Sequence, residues 1–138
     1  MFLGGAFGKN IDIIQRTLDA EVLRRNVIAN NIANSDTPNF KRSVVNFEAQ
    51  LKRALDSEKE IPPPEILTDK RHIPFYQPMD YRKVKPRVVL DYLTTSKNNG
   101  NNVDIEEEMM NALENQLMYQ TLVQVVSSEF ARVNMVLR

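Results

Sequence analysis

The stretch NQLMYQTLVQVVSS, residues 115–128, contains no charged side chain in 14 consecutive positions. A solvated amphipathic helix normally keeps one charged face toward water. Because the apolar residues of this stretch recur at helical spacing, it predicts a helix that protein contacts on most of its sides. Such a helix is typical of a subunit of an assembly rather than of a self-contained enzyme.

Turn and capping residues come before this stretch. Residues 97–102 read KNNGNN, which is turn chemistry, and Asp104 is a favourable N-cap. Glu107 is placed to complete a capping box, and the acidic residues 106–108 suit the positive end of the helix dipole. We therefore predict a helix from Asp104 to Arg138, about 50 Å long at about 1.5 Å per residue.

Two apolar faces run along this closing helix, with a row of glutamines between them. The first face is expected to form core and comprises Tyr119, Leu122, Val126, Phe130, Val133 and Leu137. The second is centred on Leu113 and Leu117, and the amide row repeats at i, i+4. The candidate subunit contacts of this helix are Leu113, Gln116, Leu117, Gln120, Gln124, Val126 and Phe130.

A second long helix is predicted at residues 9–34. Its expected core stripe is Ile11, Ile14, Leu18, Val22, Ala29 and Ile32. A row of asparagines follows it at i, i+4, and residues 26–35 carry no charge. This row has two interpretations: a solvated row, or amides that bind a neighbouring helix. The candidate contacts here are Asn26, Ile28, Asn30, Ile32 and Asn34.

The turn motif Thr37, Pro38, Asn39 and Phe40 follows this helix, because a proline disfavours helical backbone at the residue before it. A short extended piece at residues 40–45 and a modest helix at 46–57 are expected next. Residues 60–97 hold six of the seven prolines, which excludes a long helix. We expect an irregular arm there, with extended runs such as 87–93 and at most one small hairpin.

The predicted fold class is mainly α, with long N- and C-terminal helices paired as a coiled-coil-like core. Residues 1–38 and 102–138 are predicted to form this discontinuous core domain. Residues 39–101 are predicted to form a short helix and a Pro-rich irregular arm. One helix pair is a small core for 138 residues, so we expect an isolated chain that is partly disordered and orders on polymerising.

Composition argues against several classes of function. Eighteen basic and eighteen acidic side chains cancel, which gives no general attraction to nucleic acid. A local basic cluster at Arg82, Lys83, Lys85 and Arg87 is interpreted as a solvated loop face, with contact to an acidic partner surface as the alternative.

Catalytic constellations are also missing from the sequence. Cysteine is absent, and the single histidine, His72, has neither a nucleophile nor a metal-spaced cluster beside it. We therefore expect no enzyme, no cofactor, no metal, no nucleic-acid partner and no small-molecule substrate. The opening MFLGGAFG lacks a basic region and is too short to act as a signal peptide, and no later run is apolar enough for a membrane span.

Two motifs carry a family resemblance. Residues 28–41, IANNIANSDTPNFK, resemble the N-terminal signature of the flagellar rod and hook axial proteins, with Asn39 at a position that is frequently glycine. Asn tolerates the left-handed backbone that glycine adopts there. Residues 99–104, NGNNVD, with EM at 108–109 and ENQLMYQ at 114–120, are similar to the closing signature of the proximal rod members of that family.

The resemblance implies a structural subunit of the flagellar basal-body rod, which polymerises through its terminal helices and transmits torque across the periplasm. It implies contacts with other copies of the chain, with rod subunits including FlgC, with the adaptor FliE at the membrane ring and with the flagellar type III export apparatus. It also implies export without a cleaved signal peptide. The alternatives are another axial subunit such as FlgC and a non-exported coiled-coil adaptor.

Overall fold

A computed structural model describes residues 5–60, 69, 71–73, 77–94 and 98–137. Its elements in chain order are α1 (Ala6–Ala33), β1 (Ser43–Asn46), α2 (Glu48–Ser57), a 3-10 turn (Tyr81–Lys83), β2 (Arg87–Leu90) and α3 (Ile105–Val136). The predicted mainly α fold with long N- and C-terminal helices is confirmed. Much of the predicted irregular arm, including the prolines at 62, 63, 64 and 74, lies outside the described residues. No helix in the described ranges is long and apolar enough to cross a membrane.

The chain divides into two compact units, one of residues 1–45 with 88–138 and one of residues 46–87. In the second unit, α2 packs against the 3-10 turn. Among the described residues of this unit, those buried are Phe47, Leu51, Ala54, Tyr81 and Val84. The short helix predicted at residues 46–57 is therefore present, two residues shorter at its start.

The small β element is an antiparallel pair of β1 and β2. Both strands contain a Val-Val pair, and β-branched side chains favour extended backbone. The Asp91 N–H donates to the Arg42 carbonyl at 2.9 Å just beyond the strand pair. Residues 47–86 separate the two strands, so this pair is not a small hairpin within residues 60–97, which was the most that the sequence predicted there.

The helices α1 and α3 run antiparallel, because Asn31 bonds to Glu108 while Glu21 bonds to Asn115. On α3 the less exposed side chains recur at alternating spacings of 3 and 4 from Asn115 onward, and they are Asn115, Tyr119, Leu122, Val126, Glu129 and Val133. The prediction that Phe130 and Leu137 belong to this line is wrong, since they are 50% and 68% exposed. The alternation places Glu129 toward α1 instead.

The predicted core stripe of α1 is only partly correct. Val22 is 44% exposed and Ala29 is also exposed, whereas Glu21, Val27 and Asn31 are buried. Polar side chains occupy the inner face because they find hydrogen-bond partners on α3 and β1. A pattern built from apolar residues alone misplaces that face.

The first polar contact between the helices joins Glu21 to Asn115. The Asn115 side-chain amide donates to the Glu21 carbonyl at 2.9 Å and also to the Glu21 carboxylate. Arg24 forms an ion pair with the other oxygen of that carboxylate. Both Glu21 and Asn115 are at most 4% exposed, so the buried charge of Glu21 is compensated by a cation and an amide.

The second polar contact is centred on Asn31 and ties α1 to both β1 and α3. Its amide donates to the Ser43 carbonyl at 2.9 Å and to Glu108 Oε2 at 3.2 Å, and its oxygen accepts from the Ser43 N–H at 3.0 Å. Arg42 Nε lies 3.3 Å from Glu108 Oε1, close enough for an ion pair but without hydrogen-bond geometry. Asn31 thus links Ser43 to Glu108, and Glu108 in turn lies beside Arg42.

Arg42 also contacts the first turn of α3. Asp104 caps the helix as predicted, accepting from the Glu106 N–H at 2.9 Å. The predicted capping-box partner Glu107 instead accepts from Arg42 at 2.6 Å. Burial acts to lower the pKa of Arg42, but the hydrogen bond to Glu107 and the nearby carboxylates outweigh it and raise that pKa.

The end of α1 is held by the loop that precedes α3. The Asn101 amide donates to the carbonyls of Asn34 at 3.0 Å, of Ser35 at 3.0 Å and of Thr37 at 2.8 Å. Its oxygen accepts from the Val103 N–H at 2.7 Å, and Asn101 is 0% exposed. The last carbonyls of α1 accept from the N–H groups of the turn that follows the helix, and Asn101 in turn binds the carbonyls of that turn. We call residues 34–43 and 98–104 together the junction.

Further contacts tie the two halves of the junction. The Asn39 N–H donates to the Asn99 carbonyl at 3.1 Å, and Lys41 Nζ donates to the Gly100 carbonyl at 2.8 Å. Asn102 accepts from the Arg42 N–H at 2.6 Å and donates to the Asp91 carbonyl at 2.7 Å. Asn39 has φ 59°, so it adopts the left-handed backbone expected from the turn motif.

Replacing Gly100 by alanine should destabilise the junction. Gly100 has φ 78°, and an added Cβ would lie 2.7 Å from Asn39 Oδ1. We expect Gly100→Ala to lower the free energy of unfolding by about 1–2 kcal/mol, the cost of left-handed backbone for an L-residue. Urea denaturation followed by circular dichroism measures the change. Gly5→Ala, where no described atom lies within 4 Å of the added Cβ, is the control, and equal losses in the two variants would contradict the prediction.

Glu108 should make stability depend on pH. Burial raises the pKa of Glu108 above its usual 4.5, against the hydrogen bond from Asn31 and the charge of Arg42. The folded chain then holds this proton more tightly than the unfolded chain. The contribution of Glu108 to the free energy of unfolding is therefore fully present below pH 4.5, and it is lost as the pH rises through the raised pKa.

A Glu108→Gln variant should lack this loss of stability, which urea denaturation at a series of pH values from 4.5 upward measures. Glu106→Gln removes the same charge from the same helical turn at an exposed position and is the control. If both variants changed the slope of unfolding free energy against pH by the same amount, the buried position of Glu108 would not be the cause of the pH dependence.

Candidate assembly surface

The side of α3 that faces away from α1 carries large apolar side chains in water. Leu113 and Leu117 are 50% and 54% exposed. At 3.6 residues per turn, these two leucines and three glutamines fall within about 100° of the circumference of the helix. This face lies opposite the less exposed side chains of α3 that face α1, which we call the α1-facing line. The candidate contacts on this face are Leu113, Gln116, Leu117, Gln120 and Gln124, and we call it the outer face.

Exposed apolar residues continue along α3 on the outer face and on both of its flanks. They include Met109, Met110, Met118, Val123, Val125, Met135 and Val136. Burying one such side chain fully contributes about 1.5–3 kcal/mol, and contiguous apolar surface of this kind marks sites of protein contact. The 32-residue helix therefore pairs with α1 on one line and presents apolar surface elsewhere.

Two of the predicted contacts on α3 lie away from the outer face. Val126 belongs to the α1-facing line and is partly buried, and Phe130 lies beside that line with half of its surface exposed. Val126 is thus positioned to hold the helix pair together. Half of the Phe130 side chain is left accessible to water.

The predicted contacts on α1 are divided between two environments. Asn26 and Asn30 are exposed, while Ile28 is buried and Ile32 is partly buried. Asn34 donates to the Asn30 carbonyl at 2.8 Å within its own turn. The amide that crosses to α3 is Asn31, one residue away from the predicted row. In the turn motif, Thr37 and Asn39 bond to the loop before α3, and Pro38 is exposed.

A groove of about 620 Å³ opens between α1, β1 and the first half of α3. Its apolar wall includes Val27, Ile28, Val44, Val45, Leu117 and Met118. Charged residues line it as well, but Glu21 pairs with Arg24 and Glu108 with Arg42. Leu117 belongs to both the groove and the outer face, so the two form one apolar surface. Among the described residues, no group of three acidic or histidine side chains could hold a metal ion.

Sequence reasoning missed the buried polar residues Glu21, Asn31, Asn101, Glu108 and Asn115. A signal for some of them exists as a period of seven. Ile14, Glu21 and Ile28 are seven apart on α1, and Glu108, Asn115 and Leu122 are seven apart on α3. A polar residue at a repeating core position is expected to be buried with a partner. No comparable periodic signal identifies Asn101.

Known proteins resemble this chain along nearly its whole length. A family model described as "Flagella basal body rod protein" matches residues 11–41, which cover most of α1 and the turn motif. The flagellar basal body rod protein FlgB of Borrelia hermsii is 43% identical over 132 residues, which are 96% of this chain and 98% of the relative.

Two further FlgB proteins extend the match. That of Borreliella burgdorferi is 41% identical over 96% of this chain and 98% of its own length. That of Bacillus subtilis is 34% identical over 95% of both chains. These matches favour FlgB over the alternatives of FlgC or a non-exported adaptor. The chain therefore belongs to the FlgB family of flagellar basal-body rod proteins and is a structural subunit of the proximal rod.

Proposed function

We propose that the chain polymerises by packing the outer face of α3 against neighbouring subunits. One observation carries this proposal: the face contains two leucines that are half exposed although they lie in the middle of a long helix. A helix in a finished globular fold would turn such residues toward a core. In a rod, the neighbouring subunits supply that core.

The polar contacts on the inner side of the helix pair complement this arrangement. Glu21 with Asn115, and Asn31 with Glu108, fix how α1 and α3 lie along one another. Residues 1–38 and 102–138 would then act as one coiled-coil-like inner domain. Torque applied to one subunit would pass to the next through packed helices rather than through flexible loops.

The glutamine row on the outer face would set the register between subunits. Gln116, Gln120 and Gln124 are exposed and uncharged. An amide can donate and accept across an interface without the cost of burying a charge. The exposed amides Asn26 and Asn30 on α1 would act in the same way.

The partners follow from the place of a proximal rod subunit. We infer contacts with other copies of the chain, with rod subunits including FlgC, and with the adaptor FliE at the membrane ring. We also infer passage through the flagellar type III export apparatus into the periplasm without a cleaved signal peptide. Membership of the rod family supports these inferences.

Replacing the two outer-face leucines should block rod assembly without unfolding the chain. Leu113→Gln with Leu117→Gln removes apolar surface worth about 1.5–3 kcal/mol per fully buried side chain. We expect subunit association to weaken at least tenfold, at about 1.4 kcal/mol per factor of ten. Swimming in soft agar and imaging of purified basal bodies measure the effect.

Leu93→Gln is the matched control for this double variant, because Leu93 is 97% exposed and lies outside α3. Circular dichroism of the purified chains checks that all variants remain helical. Complete rods in the double variant, with normal swimming, would exclude the outer face as the assembly surface.

The glutamine row can be tested separately from the apolar surface. Gln120→Ala with Gln124→Ala keeps helix propensity high and removes two amides. We expect fewer rods and weaker motility, with export of the variant unchanged on immunoblots of periplasmic fractions. A variant that swims normally would indicate that the row is only solvated.

A further inference from the structure

The junction contains a pair of residues that is prone to spontaneous chemical change. Asn99 is followed by Gly100, and this is the single Asn-Gly pair in the chain. Asparagine is a thermolabile residue, and its side-chain amide is attacked most easily when the next residue has no Cβ to hinder the backbone nitrogen. Asn99 is exposed to water. The labile Asn99-Gly100 pair therefore lies at the surface of the loop that holds the end of α1.

The conformation of Asn99 brings the reacting groups together. Its Oδ1 accepts from the Asn101 N–H at 3.1 Å, two residues along the chain. This closes an Asx-turn, a ring that also contains the Gly100 nitrogen. The carboxamide carbon is thus held beside the Gly100 nitrogen, and the hydrogen bond to Oδ1 draws electrons from that carbon. A side chain that is already folded toward the attacking nitrogen has less conformational freedom to lose on ring closure.

We propose that Asn99 is a site of spontaneous deamidation, and that its conversion to isoaspartate opens the junction. The Gly100 nitrogen loses its proton to water and attacks Asn99 Cγ. A new C–N bond forms, the bond from Cγ to the side-chain nitrogen breaks, and ammonia leaves. The resulting cyclic imide is opened by one water molecule, which gives aspartate when it adds at Cγ and isoaspartate when it adds at the main-chain carbonyl.

The two products differ in their effect on the junction. Aspartate leaves the main chain unchanged and keeps an oxygen that accepts from the Asn101 N–H. Isoaspartate routes the main chain through the side chain and so adds a methylene group between Asn99 and Gly100. The carbonyl that accepts from Asn39 then moves, as does the Gly100 carbonyl that accepts from Lys41. Asn101, which follows directly, is drawn away from the end of α1.

The experiment is ageing of the purified full chain at mildly alkaline pH in ¹⁸O-labelled water. Peptide mapping by mass spectrometry locates the converted residue, and an isoaspartate methyltransferase assay distinguishes the two products. We expect Asn99 to convert before Asn98, which is also exposed but is followed by Asn99 rather than by glycine. Conversion of Asn98 first, or an intact Asn99 after conversion elsewhere, would overturn the proposal.

Amide hydrogen exchange tests the consequence for the junction. In the isoaspartate form, exchange should accelerate at the amides of Asn39 and Val103, which bond within the junction. The Leu51 amide, which bonds to the Phe47 carbonyl in the other unit, should be unchanged. Asn99→Asp, which supplies the aspartate product directly, should keep the slow exchange of the unaged chain.

A second variant keeps the inference testable if ageing damages the chain in other ways. Asn99→Gln retains an amide but would have to close a larger ring, so its junction amides should stay protected during the same incubation. Isoaspartate at position 99 with unchanged exchange at Asn39 would show that the junction tolerates it, and the proposed consequence would then be wrong. Neither outcome depends on whether the outer face mediates assembly.

Discussion

The fold depends on one side chain in the loop before α3 that binds the turn after α1. Asn101 binds three carbonyls after α1 and is completely buried, so the start of α3 cannot leave the end of α1 without exposing unpaired groups. A buried carbonyl that loses its donor costs about 1–3 kcal/mol. This contact joins the end of α1 to the loop from which α3 begins.

In the helix pair, polar side chains lie between the helices and apolar side chains face water, which is the reverse of the usual pattern. Between α1 and α3 lie two buried glutamates and two buried asparagines, whereas leucines and methionines of α3 face water. Apolar contacts tolerate sliding, but hydrogen bonds have fixed partners and directions. Polar groups inside therefore fix the alignment of the two helices, and apolar groups outside supply the energy for association with neighbours.

The sequence predicts the local parts of this fold well. Capping by Asp104, the left-handed backbone at Asn39 and the extents of the long helices follow from propensity and turn chemistry, which act over a few residues. The pairing of β1 with β2 and the partners of Asn31 do not, because they join residues far apart in the chain. Helical spacing identifies the outer-face leucines, whereas the burial of Glu21 depends on partners on α3 that are far away in the sequence.

The spacing of the junction contacts along the chain determines when the fold can close. The bonds that join Asn101 to the end of α1 span 64 to 67 residues, and the bond from Asn115 to Glu21 spans 94. A chain that emerges from its N-terminus during synthesis thus exposes all of α1 long before its capping residue exists. Until residue 101 has emerged, the carbonyls of Asn34, Ser35 and Thr37 lack the Asn101 donor, and the groove has only one helical wall. Competence to pack with neighbours is therefore reached late, when most of the chain is already present.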